Sequence, residues 1–185
     1  MSTFFKFYAD TQTVCNKIFN DKTIDYGLSW NHFRTETIID HIFIKLNRIR
    51  YIEENPIKVD ESIKETLESV INYSIIGLIL HKHGPIMGNN VDVLYTEIFK
   101  EVAELVSNKN NDYNDAWKEM FIKSFTDIML AKIYRIRHAI NHESSRISLI
   151  LEDALKDIIN YSIFYLSKLN DIQMIETLNK QTDEN

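Results

Sequence analysis

Apolar residues encircle the stretch from Ile38 to Ile52: Ile38, Ile39, Ile42, Phe43, Ile44, Leu46, Ile49 and Ile52 leave it without a broad polar side. At 3.6 residues per turn this pattern predicts a helix over 37–54 that is buried all round. Helical spacing of apolar positions predicts five more helices, over 9–21, 60–81, 92–108, 124–141 and 148–169. The stretch His81-Lys-His-Gly-Pro-Ile-Met-Gly-Asn-Asn90 separates them into two sets of three, and the polar chain from Asp171 is expected to fray.

The two sets resemble each other. Asp25-Tyr26-Gly27-Leu28-Ser29-Trp30 is echoed 87 residues later by Asp112-Tyr113-Asn114-Asp115-Ala116-Trp117. The same offset carries Lys22 to Lys109, Asp40 to Asp127, Lys45 to Lys132, and Arg48-Ile49-Arg50 to Arg135-Ile136-Arg137. After a slip of one residue near Asn55-Pro56, Ile71-Asn72-Tyr73-Ser74-Ile75 recurs whole as Ile159-Asn160-Tyr161-Ser162-Ile163. The expected architecture is all-α: an internally duplicated bundle of about six helices with a pseudo-two-fold axis. Its parts would be a first repeat over 1–81, a linker over 82–91, a second repeat over 92–170 and a polar tail over 171–185, the repeats forming one compact domain.

Composition supports this and removes several function classes. Only 4 Gly and 2 Pro occur in 185 residues, where an average chain carries roughly 12% of the two together. Neither a Rossmann turn nor a P-loop can be assembled from Gly27, Gly77, Gly84 and Gly88, so phosphate would have to meet side chains, metal or helix ends. Gly77, inside a predicted helix and opposite Tyr165 of the second set, marks a close helix contact. A net charge of −6 argues against coating duplex nucleic acid. With one cysteine and no long apolar run, the chain reads as a soluble protein of a reducing cytoplasm without a membrane partner, a monomer or homodimer.

Several repeated residues carry candidate chemistry. Lys45 falls on the apolar stripe of Ile38, Ile42 and Ile49, and Lys132 on that of Phe125, Met129 and Ile136. An ammonium there needs a partner, either a ligand phosphate or a carboxylate of the closing helix. Arg48 and Arg135 lie one turn further on and suit phosphate. On the closing helices Glu61, Glu65 and Asn72, and then Asp153, Asp157 and Asn160, share one face. Such carboxylates suit Mg²⁺, and a solvated acidic face is the alternative. Asp25, Tyr26 and Trp30, with Asp112, Tyr113 and Trp117, offer aromatic surface beside a carboxylate for a nucleobase, or core plugs. Thr37-x-x-Asp40 and Ser124-x-x-Asp127 read as capping boxes, Glu97, Glu101 and Glu104 as a solvated face, and His81-x-His83 as linker.

Lys-x-x-Asp-Tyr-Gly-x-x-Trp, then Lys-x-x-Arg-Ile-Arg, then Glu61-Ser62, Glu65 and Asn72-Tyr73 resemble the nucleotide modification associated domain 1 family of bacteria and phages, a domain of unknown function. The pattern also looks like a duplicated relative of the MazG-type all-α nucleoside triphosphate pyrophosphohydrolases. That resemblance implies Mg²⁺ on Glu61, Glu65, Asp153 and Asp157, which would serve as the catalytic and metal-holding acids, and cleavage of a (deoxy)nucleoside triphosphate to monophosphate and pyrophosphate. Lys45, Arg48, Lys132 and Arg135 would hold phosphate. Each copy lacks one acid of the relatives' pattern, at Ser69 and at Leu149. Hydrolase, inactive nucleotide-binding module and structural helical protein therefore all stay open.

Overall fold

The computed structural model describes residues 3–55, 62–88, 90–113 and 116–183, with side chains described over 4–55, 62–88, 90–107 and 116–175. Among these residues the chain is helical without a strand. The helices are α1 (Thr3–Tyr26), α2 (Thr35–Glu54), α3 (Ile63–His83), α4 (Val91–Tyr113), α5 (Ile122–Asn141) and α6 (Ile147–Asp183). Short 3-10 turns over Ser29–His32 and Ala116–Glu119 precede α2 and α5. The two turns, and α2 with α5, begin and end 87 residues apart. α6 continues well beyond Asp171: the residues there are polar but good helix formers, and one continuous hydrogen-bonded helix carries them, although 171–175 are exposed. His81 and His83 belong to the last turn of α3 rather than to the linker.

α2 packs on α3 and α5, and α6 packs on the same two helices, which closes a four-helix ring; α1 and α4 pack on each other and against α3 and α6. The interior of the ring is aliphatic: Ile42, Leu46, Ile49, Leu78, Ile133, Ile136, Leu155 and Ile158 are fully buried. α2 keeps one solvent edge, because its close partners cover only part of its circumference. Ile44 is 65% exposed there, which corrects the expectation of burial all round.

Gly77 lets α3 approach its neighbours closely. A Cβ at this position would stand 2.9 Å from Leu155 Cδ1 and 3.1 Å from Ile38 Cγ2. Tyr165, opposite in the sequence pattern, instead donates its hydroxyl to Glu53 Oε1 at 2.8 Å, and Thr126 Oγ1 donates to the same oxygen at 2.7 Å. Glu53 thereby ties the end of α2 to α5 and α6.

The capping boxes fall elsewhere than the sequence suggests. α2 and α5 start two residues before Thr37 and Ser124, from Arg34 and Phe121, and neither has a side-chain cap. Asp40 and Asp127 lie inside their helices and pair across them, Asp40 with Arg137 and Asp127 with Arg50. The box forms on α3: Ser62 N donates to Glu65 Oε2 at 2.7 Å and Glu65 N donates to Ser62 Oγ at 3.2 Å.

Candidate functional site

The last turns of α1 bring Lys22, Thr23 and Tyr26 to one side. Gly27, at φ +61°, then reverses the chain in the left-handed region that favours glycine. The following 3-10 turn tucks Trp30 inward until it is 7% exposed. Ser69, Asn72, Tyr73 and Ile76 of α3 form the facing wall, and Phe19 and Phe33 complete a cavity of about 310 Å³. The motif residues Lys22, Tyr26, Gly27 and Trp30 all line it. Asp25 lies beside them and is exposed.

Some polar groups of this cavity are fixed. Asn72 Nδ2 donates to the Cys15 carbonyl at 3.1 Å, and its Oδ1 accepts from Tyr95 at 2.7 Å. Asn160 accepts from Tyr8 at a longer 3.5 Å, so both asparagines join helices from different halves of the chain. Burial pushes the Tyr8 and Tyr95 phenols well above their ordinary range, and they act as neutral donors. The Trp30 indole N–H, by contrast, is buried without a hydrogen-bond partner, as is that of Trp117.

An aromatic column stands behind the cavity. Phe33 stacks on His41 with centroids 5.5 Å apart, and His41 stacks on Tyr73 at 4.5 Å and 10°. Lys45 Nζ closes the column 5.6 Å from the Tyr73 centroid. Burial, and then the Lys45 charge, hold His41 below its ordinary pKa, so the imidazole is neutral at pH 7. Sequence reasoning missed His41 because the offset places Ile128 opposite it and no repeat flags it. Its position one turn before Lys45 on the same helix was the available signal.

The described members of the predicted acid set have different surroundings. Glu65 is exposed, and its carboxyl is held below the usual range by the Ser62 hydrogen bonds, with smaller help from Lys64 and Arg48. Arg48 therefore stands near Glu65 at the start of α3. Asp157 Oδ2 instead accepts from Lys132 Nζ at 2.7 Å, the closing-helix carboxylate that the sequence offered as one partner for this lysine. Asp153 and Arg135 are exposed. Among the described residues no group of three or more His, Cys, Asp or Glu is gathered to hold a metal ion. Glu61, and the side chains of Asp112 and Tyr113, lie outside the described residues. Trp117 is a core plug, stacked on Phe164 at 4.6 Å and 6° and tilted against Phe4 at 5.0 Å.

Fold and cavity together define an all-α helical protein with an aromatic-walled cavity built on a repeated motif. The chain matches the family model described as nucleotide modification associated domain 1 over residues 22–80 and 109–182, and it belongs to that family. Each matched segment opens on a lysine of the repeated motif, Lys22 or Lys109. No curated protein and no solved structure matches the chain. No helix among the described residues is long and apolar enough to cross a membrane.

Proposed function

We propose that this protein is a nucleotide-binding module of nucleotide or modified-base metabolism, and that the cavity beside Trp30 takes the base. The observation that carries the reading is that Lys22, Tyr26 and Trp30, which recur as Lys109, Tyr113 and Trp117 in the second matched segment, line one cavity with Gly27, Ser69 and Asn72. About 310 Å³ is near the lower end of small-molecule sites and suits a base with its sugar. The aromatic walls offer stacking, and Lys22 at the wall would meet phosphate. Lys45 and Arg48 add positive charge beyond Tyr73 and near Glu65.

Binding is favoured over MazG-like hydrolysis because of where the carboxylates are. Glu65 closes a helix cap and Asp157 neutralises Lys132, and among the described residues no group of three such ligands is gathered.

Isothermal titration with a panel of nucleoside mono- and triphosphates, with and without Mg²⁺, tests this. At least one nucleotide binds with a dissociation constant below about 1 mM. Ile76→Phe, which fills the cavity from α3, weakens that binding by about tenfold or more while the melting temperature holds. Affinity no tighter than millimolar across the panel, or full affinity in Ile76→Phe, overturns the proposal.

A further inference from the structure

A second pair of positions related by the sequence offset differs in charge rather than in shape. At one of them, between α3, α4 and α6, two ammonium groups and two carboxylates close a ring. Lys156 Nζ bonds Glu101 at 2.5 Å and Glu152 at 2.7 Å, while Lys82 Nζ lies 2.6 Å from Glu101 and 3.2 Å from Glu152. The ring holds both carboxyls below their ordinary range and the Lys156 ammonium above its own. It also explains Glu101, which the sequence pattern assigned to a solvated face.

The corresponding positions are Val14 for Glu101, Lys64 for Glu152, Glu68 for Lys156 and Asn170 for Lys82. The pair on α3 survives with its signs exchanged, Lys64 and Glu68, but Val14 and Asn170 bring no charge to complete a ring. A cavity of about 340 Å³ opens instead, with Asp10, Glu68 and Lys64 on its wall beside Phe7, Val14 and Leu166. The Glu68 side chain is 8% exposed. Among the described residues it makes no hydrogen bond, and its cation there is Lys64 Nζ at 3.9 Å, itself 63% exposed. Burial pushes the Glu68 carboxyl up, against the opposing pull of Lys64.

A carboxylate buried beside one distant, solvated cation is costly, and the ring on the other side shows what this fold uses to relieve such a cost: an ammonium among the helices. We infer that this cavity is a binding site for an aliphatic ammonium compound, its charge on Glu68 with Asp10 nearby and its chain against Phe7, Val14 and Leu166. Phe7, Val14, Leu166 and Leu169 give an alkyl chain apolar contact within an otherwise polar lining, whereas an inorganic cation would keep its water. The site is separate from the cavity beside Trp30 and does not depend on nucleotide binding.

Isothermal titration of the full chain at pH 8 with butylamine, 1,4-diaminobutane and, as an uncharged control, butan-1-ol tests the inference. One of the amines binds with a dissociation constant of about 1 mM or better and the alcohol does not. Glu68→Gln, of equal shape, weakens the amine by about tenfold or more and leaves nucleotide titrations unchanged. Val14→Lys, whose own ammonium enters the cavity from an exposed position of α1, abolishes amine binding and raises the melting temperature. It keeps the test valid even where Glu68→Gln fails to fold. Absence of amine binding at roughly 10 mM, equal binding of butan-1-ol, or full amine affinity in either folded variant overturns it.

Discussion

Trp30 and Trp117 stand 87 residues apart in the same motif, are equally buried at 7% exposure, and meet different neighbours. Phe164 lies flat on Trp117, and two turns earlier on α6 Asp157 is paired with Lys132. The α3 positions that correspond to Phe164 and Asp157 are Ile76 and Ser69, and both line the cavity beside Trp30. Ile76 and Ser69 stand at the cavity beside Trp30 where the larger Phe164 and Asp157 stand in the other half, so the serine that reads in the sequence as a lost acid lines that cavity. One motif serves as a plug where its partner helix supplies bulk, and as a wall where it does not.

The largest expected effect separates plug from wall. Trp117→Ala removes a stacked indole from between Phe4 and Phe164 and costs about 3–5 kcal/mol in urea denaturation, while nucleotide affinity in the folded fraction stays within about twofold. Trp30→Ala costs less, because the indole borders a cavity, yet it lowers nucleotide affinity by about tenfold or more. Equal losses of stability and of affinity in the two variants would erase the distinction between the halves.

Periodicity and the offset made the six helices and their order legible, since each is amphipathic or buried enough to announce itself locally. The close approach at Gly77 was legible too, because a glycine inside a long apolar helix has few other uses. What stayed hidden depends on which helix faces which. Thr37 and Ser124 have the right spacing for a cap, yet both helices start earlier and leave Asp40 and Asp127 to pair across the α2–α5 contact. Glu53 has no sequence signal for its partners, which the packing of α5 and α6 supplies as Thr126 and Tyr165. Of the site, the aromatic motif was visible by its recurrence, while His41 was invisible for lack of a counterpart. The pairing of Lys132 with a carboxylate was open in sequence and needed the packing of α5 on α6 to decide it.

That pairing sets the next effect in size. Lys132 and Asp157 are 26% and 16% exposed, so removing one charge leaves the other only partly solvated. Asp157→Ala costs about 1–3 kcal/mol. The double variant Lys132→Met, Asp157→Leu regains most of that, because an apolar pair suits this depth as well as an ion pair does. A double-mutant cycle by urea denaturation measures the coupling. A double variant as unstable as Asp157→Ala would show that the pair itself, and not merely its balance of charge, keeps the second half closed.

The smallest effect concerns the contact that the two halves share. α2 and α5 each carry an aspartate near the start and an arginine near the end, and each aspartate meets the arginine of the other helix, as an antiparallel crossing demands. The two pairs are not equal in surroundings. Arg137 also lies over the Phe43 ring, 3.9 Å from its centroid, and is 34% exposed, whereas Arg50 reaches Asp127 only at 3.6 Å and is 51% exposed. Exposed pairs couple weakly, and a cation fixed on an aromatic face loses less freedom on pairing. The Asp40–Arg137 coupling is therefore expected near 0.5–1 kcal/mol, roughly, and the Asp127–Arg50 coupling nearer zero. Charge-neutral cycles with Asp→Asn and Arg→Gln, run at low and at high salt, read both. A larger coupling at Asp127–Arg50 would place the stronger cross-link on the open side of the Phe43 contact and reverse the ranking of the two crossings.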